Sequence, residues 1–101
     1  MLGVRVKIIE FVDDSQPGWV RCVLTDAFGR KWFFMEKVPI VTADYLDEKS
    51  SYPQYGVINC VIISENGKDN HINIDTSKPY GVYSEEDNTN FTILKTQLID
   101  E

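Results

Sequence analysis

From Val4 to Ile8 every second residue is apolar, and the residues between, Arg5 and Lys7, are charged. A period of two puts one face of a strand in the core and the other in water, and a helix turning every 3.6 residues cannot match it. This alternation, or a short apolar run of strand length, recurs along the chain, each time closed by turn-forming residues. No segment shows sustained helical spacing, so the chain is expected to be all-β.

Residues 2–12 form the first expected strand. At Ile8-Ile9 the apolar parity switches to Ile9 and Phe11, as one extra residue in a β-bulge would cause. Asp13-Asp14-Ser15-Gln16-Pro17-Gly18 ends it, with proline presetting φ and glycine free to take φ > 0. Residues 19–26 and 31–38, rich in aromatic and β-branched side chains, flank Asp26-Ala27-Phe28-Gly29-Arg30 as the clearest hairpin.

Pro39 cannot donate to a ladder and stops the third strand. Residues 39–56 then read as a long loop, in which Thr42 caps one or two helical turns over 42–49 and residues 50–56 are extended and exposed. Residues 57–64 are a nearly unbroken apolar run, followed by the Asn66-Gly67 turn and a partner strand over 71–75 with Ile72 and Ile74 inward. A short Val82-Tyr83 segment and a last strand over 91–99 complete the set. Five substantial strands and one or two minor ones favour a small SH3-like or OB-like barrel of five to seven strands over a flat sheet with exposed edges, with a β-sandwich as the alternative. The 101 residues are read as a single domain, 1–101.

The net charge of −6 is unevenly placed. Residues 1–38 carry six basic and five acidic groups, whereas residues 39–101 carry four and eleven. No cluster of lysine and arginine is evident along the chain, so nucleic acid is not expected as a partner. No apolar run approaches the length of a membrane span, and charges fall within the first apolar stretch, so the chain reads as cytoplasmic, neither membrane-embedded nor secreted. Asn90-Phe91-Thr92 matches a glycosylation acceptor, but the pattern has no secretion signal to give it meaning. Cys22 and Cys60 lie in apolar runs without CxxC spacing and are expected as buried free thiols.

Catalytic chemistry finds no footing. His71, the only histidine, sits at the mouth of a hairpin beside Asp69 and Asn70 and is expected to be solvated, without a nucleophile to serve. The carboxylate pairs Asp13-Asp14, Asp47-Glu48 and Glu85-Glu86-Asp87 fall in loops, where nothing desolvates one member to raise its pKa. None matches EF-hand spacing and no phosphate loop is present, so no catalytic residue, cofactor or metal is assigned.

What remains is a surplus of aromatic side chains. Trp19 and Trp32 are expected to cap the core, and Tyr52, Tyr55 and Tyr80, in expected loops, to be exposed. Gly18-Trp19-Val20, Asp26 to Arg30, Glu36 to Val41, Tyr52-Pro53, Gly56 to Cys60 and Lys78-Pro79-Tyr80-Gly81 together resemble a group of small uncharacterised bacterial proteins. That resemblance implies a bacterial, cytoplasmic protein and brings no activity or site residues. The leading expectation is a non-catalytic protein-interaction module, immunity- or antitoxin-like. It meets a basic protein partner through Tyr52, Tyr55, Tyr80, Glu85, Glu86 and Asp87. A small-ligand carrier with a barrel mouth lined by Trp19, Trp32 and Phe34 is the alternative, and an enzyme of unrecognised type a second.

Overall fold

The computed structural model describes residues 1–100. The alternating segments become strands and all their pairings are antiparallel, but they are arranged as two sheets. In chain order the strands are β1 (Leu2–Asp13), β2 (Trp19–Thr25), β3 (Lys31–Lys37), β4 (Gln54–Asn59), β5 (Val61–Asn66), β6 (His71–Asp75), β7 (Asn90–Leu94) and β8 (Leu98–Asp100). Sheet A runs β3-β2-β1-β4, with β8 added along the start of β1, and sheet B runs β5-β6-β7. No ladder closes the two into a barrel among the described residues, so the expected closure is not seen; the all-β class is.

β1 is long enough to serve three partners. Gly3 to Ile8 run beside β4, Leu2 to Val4 beside β8, and Lys7 to Asp13 beside β2. Ile8 faces Cys22 and Glu10 faces Arg21, which leaves Ile9 as the extra residue of the anticipated bulge.

The core lies between the sheets. Sheet A contributes Val4, Val6, Ile8, Val20, Cys22, Leu24, Phe34 and Ile58, and sheet B contributes Ile72, Ile74, Phe91 and Ile93, all buried. Burying each large apolar side chain contributes roughly 1.5–3 kcal/mol. Phe91 meets Trp32 and Phe34 edge-on, with ring centres 5.3 and 5.6 Å apart, and so ties one sheet to the other.

Two expected strands prove to be four, for the same reason. The apolar run over 57–64 breaks at Cys60, whose N–H donates to the Leu2 carbonyl; β4 before it belongs to sheet A and β5 after it to sheet B. The last strand breaks at a 3-10 turn, Lys95–Gln97, where the chain returns from sheet B to sheet A. Both breaks sit where the chain changes sheet, and a period-two pattern runs through such a crossing without a mark.

The helical turn is α1 (Val38–Val41), four residues ahead of the expected start. Pro39 lies in its first turn, where the missing N–H has no helical partner to lose. Thr42 ends that turn by donating its N–H to the Val38 carbonyl. Residues 82–83 form no strand; Val82 is instead buried, its carbonyl accepting from the Thr76 hydroxyl at 2.8 Å. Cys22 and Cys60 are buried free thiols, pushed by burial to pKa values of about 12 and about 11. Among the described residues no helix is long and apolar enough to cross a membrane.

Candidate interaction surfaces

The first surface is a groove of about 430 Å³ between two loops at the far end of β1. On one side is the turn over residues 14–18, anchored by Asp13, whose carboxylate accepts from the Ser15 N–H and hydroxyl at 2.9 Å each. Those bonds hold the Asp13 carboxyl below its ordinary pKa. Gly18 closes the turn at φ +96°, a backbone that side-chain-bearing residues rarely adopt.

On the other side is the loop after α1. Its Leu46 is buried, and Asp47 organises the turn over residues 47–52. The Asp47 side chain accepts from the Lys49 N–H at 2.9 Å, and its backbone carbonyl accepts from the Tyr52 hydroxyl at 2.7 Å. With Leu46 pointing in, the neighbouring Tyr45 is thrust out and left 84% exposed. Phe11, Pro17 and Leu46 give the groove its apolar lining, and Asp14, Asp47 and Glu48 outnumber the one cation there, Lys49. One member of the Asp13-Asp14 pair and both of Asp47-Glu48 thus line one groove.

The six expected partner-binding residues do not form one patch. Tyr52 is half-buried against the core, with its hydroxyl spent on Asp47, which corrects its expected exposure. Tyr55 is exposed but belongs to β4, in the ladder opposite Lys7, and not to a loop. Tyr80 is exposed in the turn that follows β6. Glu85 donates its N–H to the Phe33 carbonyl on the edge of β3, and its carboxylate takes a two-pronged bond from Arg21 at 2.9 Å on each arm. That bond keeps the Glu85 carboxyl below its ordinary pKa. Glu86 pairs with Arg30 at 2.7 Å, and Asp87 occupies a positive-φ turn at +61°.

The second surface is the outer face of sheet A. Strand register and alternation place Arg5 and Lys7 of β1, Arg21 of β2, and Lys31 and Lys37 of β3 on it, together with Trp19, Val23, Phe33, Met35 and Tyr55, and with Glu10 opposite Arg21 as its one acidic strand residue. Five of the six basic residues of the first 38 therefore share one face, Arg5, Lys7 and Lys31 toward one end of the strands and Lys37 at the other, although they are dispersed along the sequence. Strand register thus gives this face an excess of cations that the linear chain does not display. Three of the cations lie over aromatic rings of the same face: Arg21 over Phe33 at 4.2 Å, Arg5 over Tyr55 at 5.0 Å and Lys37 over Trp19 at 5.6 Å.

No protein-family model matches this chain, and no counterpart was found among curated proteins or solved structures.

The expected ligand mouth is not assembled. Trp19 faces outward from β2, while Trp32 and Phe34 face inward and pack on Phe91. Trp32 is fixed further by Asp26, whose carboxylate accepts from its indole N–H at 3.0 Å and from the Phe28 and Arg30 N–H groups. Burial raises the Asp26 pKa, but the hydrogen bonds outweigh it and leave the carboxyl lowered. His71 is half-buried, with Phe28 edge-on to it at 5.3 Å, so the solvated turn residue expected from sequence has an aromatic neighbour. Among the described residues no three His, Cys, Asp or Glu side chains converge as a metal site.

The sequence held a partial signal for the basic face: the alternation of Arg5 and Lys7 with Val4, Val6 and Ile8 already sets both cations outward. Their meeting with Lys31 and Lys37 depends on register with strands far away in sequence. The acidic groove left a fainter signal, because nothing along the chain joins residues 14–18 to residues 45–49.

Proposed function

We propose that this chain is a non-catalytic protein-interaction module that takes a basic segment of a protein partner into the groove between residues 14–18 and 45–49. The observation that carries this is the convergence of Asp14, Asp47 and Glu48, three carboxylates against the single cation Lys49, around apolar side chains and beside a tyrosine left 84% exposed. Carboxylates at a rim steer and orient a cationic partner, and a rigid aromatic ring supplies buried area at low entropic cost. The groove replaces Glu85 and Glu86 as the acidic contact, since Arg21 and Arg30 already occupy those two carboxylates. An immunity- or antitoxin-like role, in which a small acidic protein covers a basic domain, fits this reading. The resemblance to small bacterial proteins, together with two cysteines that stay free, supports a reducing, cytoplasmic setting.

The finer fold assignment belongs to the same proposal. We read β1, the β4-β5 pair bent at Cys60, β6, β7, the 3-10 turn and β8 as an opened SH3-like barrel, with the β2-β3 hairpin inserted after its first strand.

Affinity capture from native lysate tests the function, comparing the unaltered chain with Tyr45→Ala and with Asp47→Lys plus Glu48→Lys. A specific partner that is retained at low salt, released at high salt and lost with both variants is the expected result. Retention of every partner by both folded variants would refute the groove.

A further inference from the structure

We infer that the outer face of sheet A is a second docking surface, one that binds an acidic protein segment in extended form along β1, anchored at Arg5 and Lys7. This goes beyond the acidic groove and does not depend on it.

Charge is the first observation. A chain with a net charge of −6 gathers Arg5, Lys7, Arg21, Lys31 and Lys37 on one sheet face. Like charges on neighbouring strands repel, so such an array costs stability unless something opposes it. Of these five, Arg21 is neutralised from within the chain, by Glu85, and Glu10, the acidic strand residue of this face, also stands opposite Arg21, away from Arg5 and Lys31. Among the described residues no carboxylate lies within salt-bridge distance of Arg5, Lys7, Lys31 or Lys37.

The second observation is the surface shape at the anchor. β2 pairs with β1 only as far as Lys7, and β8 pairs with it only as far as Val4. The break between them leaves a shallow cleft of about 290 Å³, walled by Arg5, Lys7 and Tyr55 on one side and by Thr25, Thr96 and Gln97 on the other. Gln97 spans the break, accepting the Leu94 N–H at 2.7 Å and donating to the Thr25 carbonyl at 2.7 Å. The cleft is thus braced and open, with two cations at its rim and Val23 in its floor.

The third observation selects the partner. Arg5 and Lys7 are two residues apart on a strand, about 6.8 Å along it, which is also the repeat of alternate side chains in any extended peptide. Carboxylates at every second position of an extended segment would therefore meet both cations in register. Stacked bases need free ring faces, yet Trp19, Phe33 and Tyr55 each already lie under a cation of the same face. The guanidinium and ammonium N–H groups remain available for carboxylates.

The test is fluorescence anisotropy with a short labelled peptide alternating Glu and Val, and with labelled oligothymidylate as the competing class. The unaltered chain should bind the peptide in low salt and release it as salt rises. Arg5→Glu with Lys7→Glu should weaken binding by about tenfold or more. Lys68→Glu with Lys78→Glu, which changes net charge equally but lies off the face, should leave binding within about twofold. Arg5→Gln with Lys7→Gln serves if the reversed pair does not fold, with the same direction expected. No peptide binding, equal loss in the Lys68 and Lys78 variant, or tighter binding of oligothymidylate than of the peptide would overturn the inference. Concentration-dependent self-association in sedimentation that disappears with Arg5→Glu would overturn it as well, by making a second copy the occupant. Substitution of Tyr45 should leave peptide binding unchanged, so the failure of one surface can be told from the failure of the other.

Discussion

The outer faces of the two sheets have solved the same problem in opposite ways. Across the middle of its outer face sheet B links neutral groups that satisfy one another: the Asn73 side chain donates to the Ser64 hydroxyl at 2.8 Å and accepts from the Thr92 hydroxyl at 2.6 Å, a chain of bonds crossing all three strands, with Asp75 the carboxylate at its end. Sheet A carries cations on its outer face and steadies three of them on aromatic rings, with a salt-bridged carboxylate for only one. A hydrogen-bonded ladder uses up its own binding capacity, whereas a cation resting on a ring keeps its donors for another molecule. Sheet B therefore reads as scaffold and sheet A as the working face.

Inside the molecule that contrast should vanish. Phe34→Ala in sheet A should cost about 3–5 kcal/mol and Ile74→Ala in sheet B about 2–5 kcal/mol, because both side chains are wholly buried in one shared core. Urea unfolding followed by tryptophan fluorescence and by circular dichroism should give a single coincident transition for each variant. Two separate transitions would mean that the sheets are independent units and would end the comparison.

A smaller effect is expected where sheet A meets α1. A Cβ at Gly56 would lie 2.8 Å from the Val41 carbonyl oxygen and 2.9 Å from the Ile8 side chain, so Gly56→Ala should destabilise by about 1–3 kcal/mol. A thermal melt indistinguishable from that of the parent would show that α1 can move away from the sheet.

The outer faces themselves should differ in sensitivity. Thr92→Val breaks the ladder on sheet B and leaves the Asn73 carbonyl without its donor, at a cost of about 1 kcal/mol. Lys31→Ala on sheet A, with no carboxylate to lose among the described residues, should change stability by no more than about 0.5 kcal/mol. Equal costs at the two positions would erase the distinction between scaffold and working face.

The smallest effect concerns a carboxylate on the inner side of sheet A. Glu36 stands opposite Val20, and its partial burial raises its pKa above 4.5, an effect only partly offset by Lys37. The folded state then holds the Glu36 proton to a higher pH than the unfolded chain does, so ionisation subtracts stability as pH rises through and above 4.5. Glu36→Gln should give a slight rise in melting temperature at neutral pH that disappears below pH 4.5. A gain of the same size at pH 3 and pH 7 would show that charge is not its source.

How much of the fold was legible in the sequence depends on the range of each interaction. The alternation in β1, the bulge at Ile9, the hairpin around Asp26, the Asn66-Gly67 turn and the buried state of Cys22 and Cys60 are all local or apolar, and a linear pattern records them. The crossings at Cys60 and Lys95–Gln97 were hidden, because a strand that leaves one sheet for another keeps its period. The candidate site was legible only in fragments: Asp47-Glu48 as a pair, Arg5 and Lys7 as outward cations, while Tyr45 fell within the expected helical turns and was not singled out. Glu85 and Glu86 looked free because Arg21 and Arg30, their partners, lie more than fifty residues earlier in the chain.

By itself, then, the sequence determined that the chain is β throughout, where most turns fall, and which side chains turn inward, since side-chain parity and turn chemistry act between near neighbours. Only the tertiary structure decided that the strands divide between two sheets, which carboxylates are neutralised, and that five scattered cations share one face. Those outcomes depend on register between distant strands, and register is set by burying one common core.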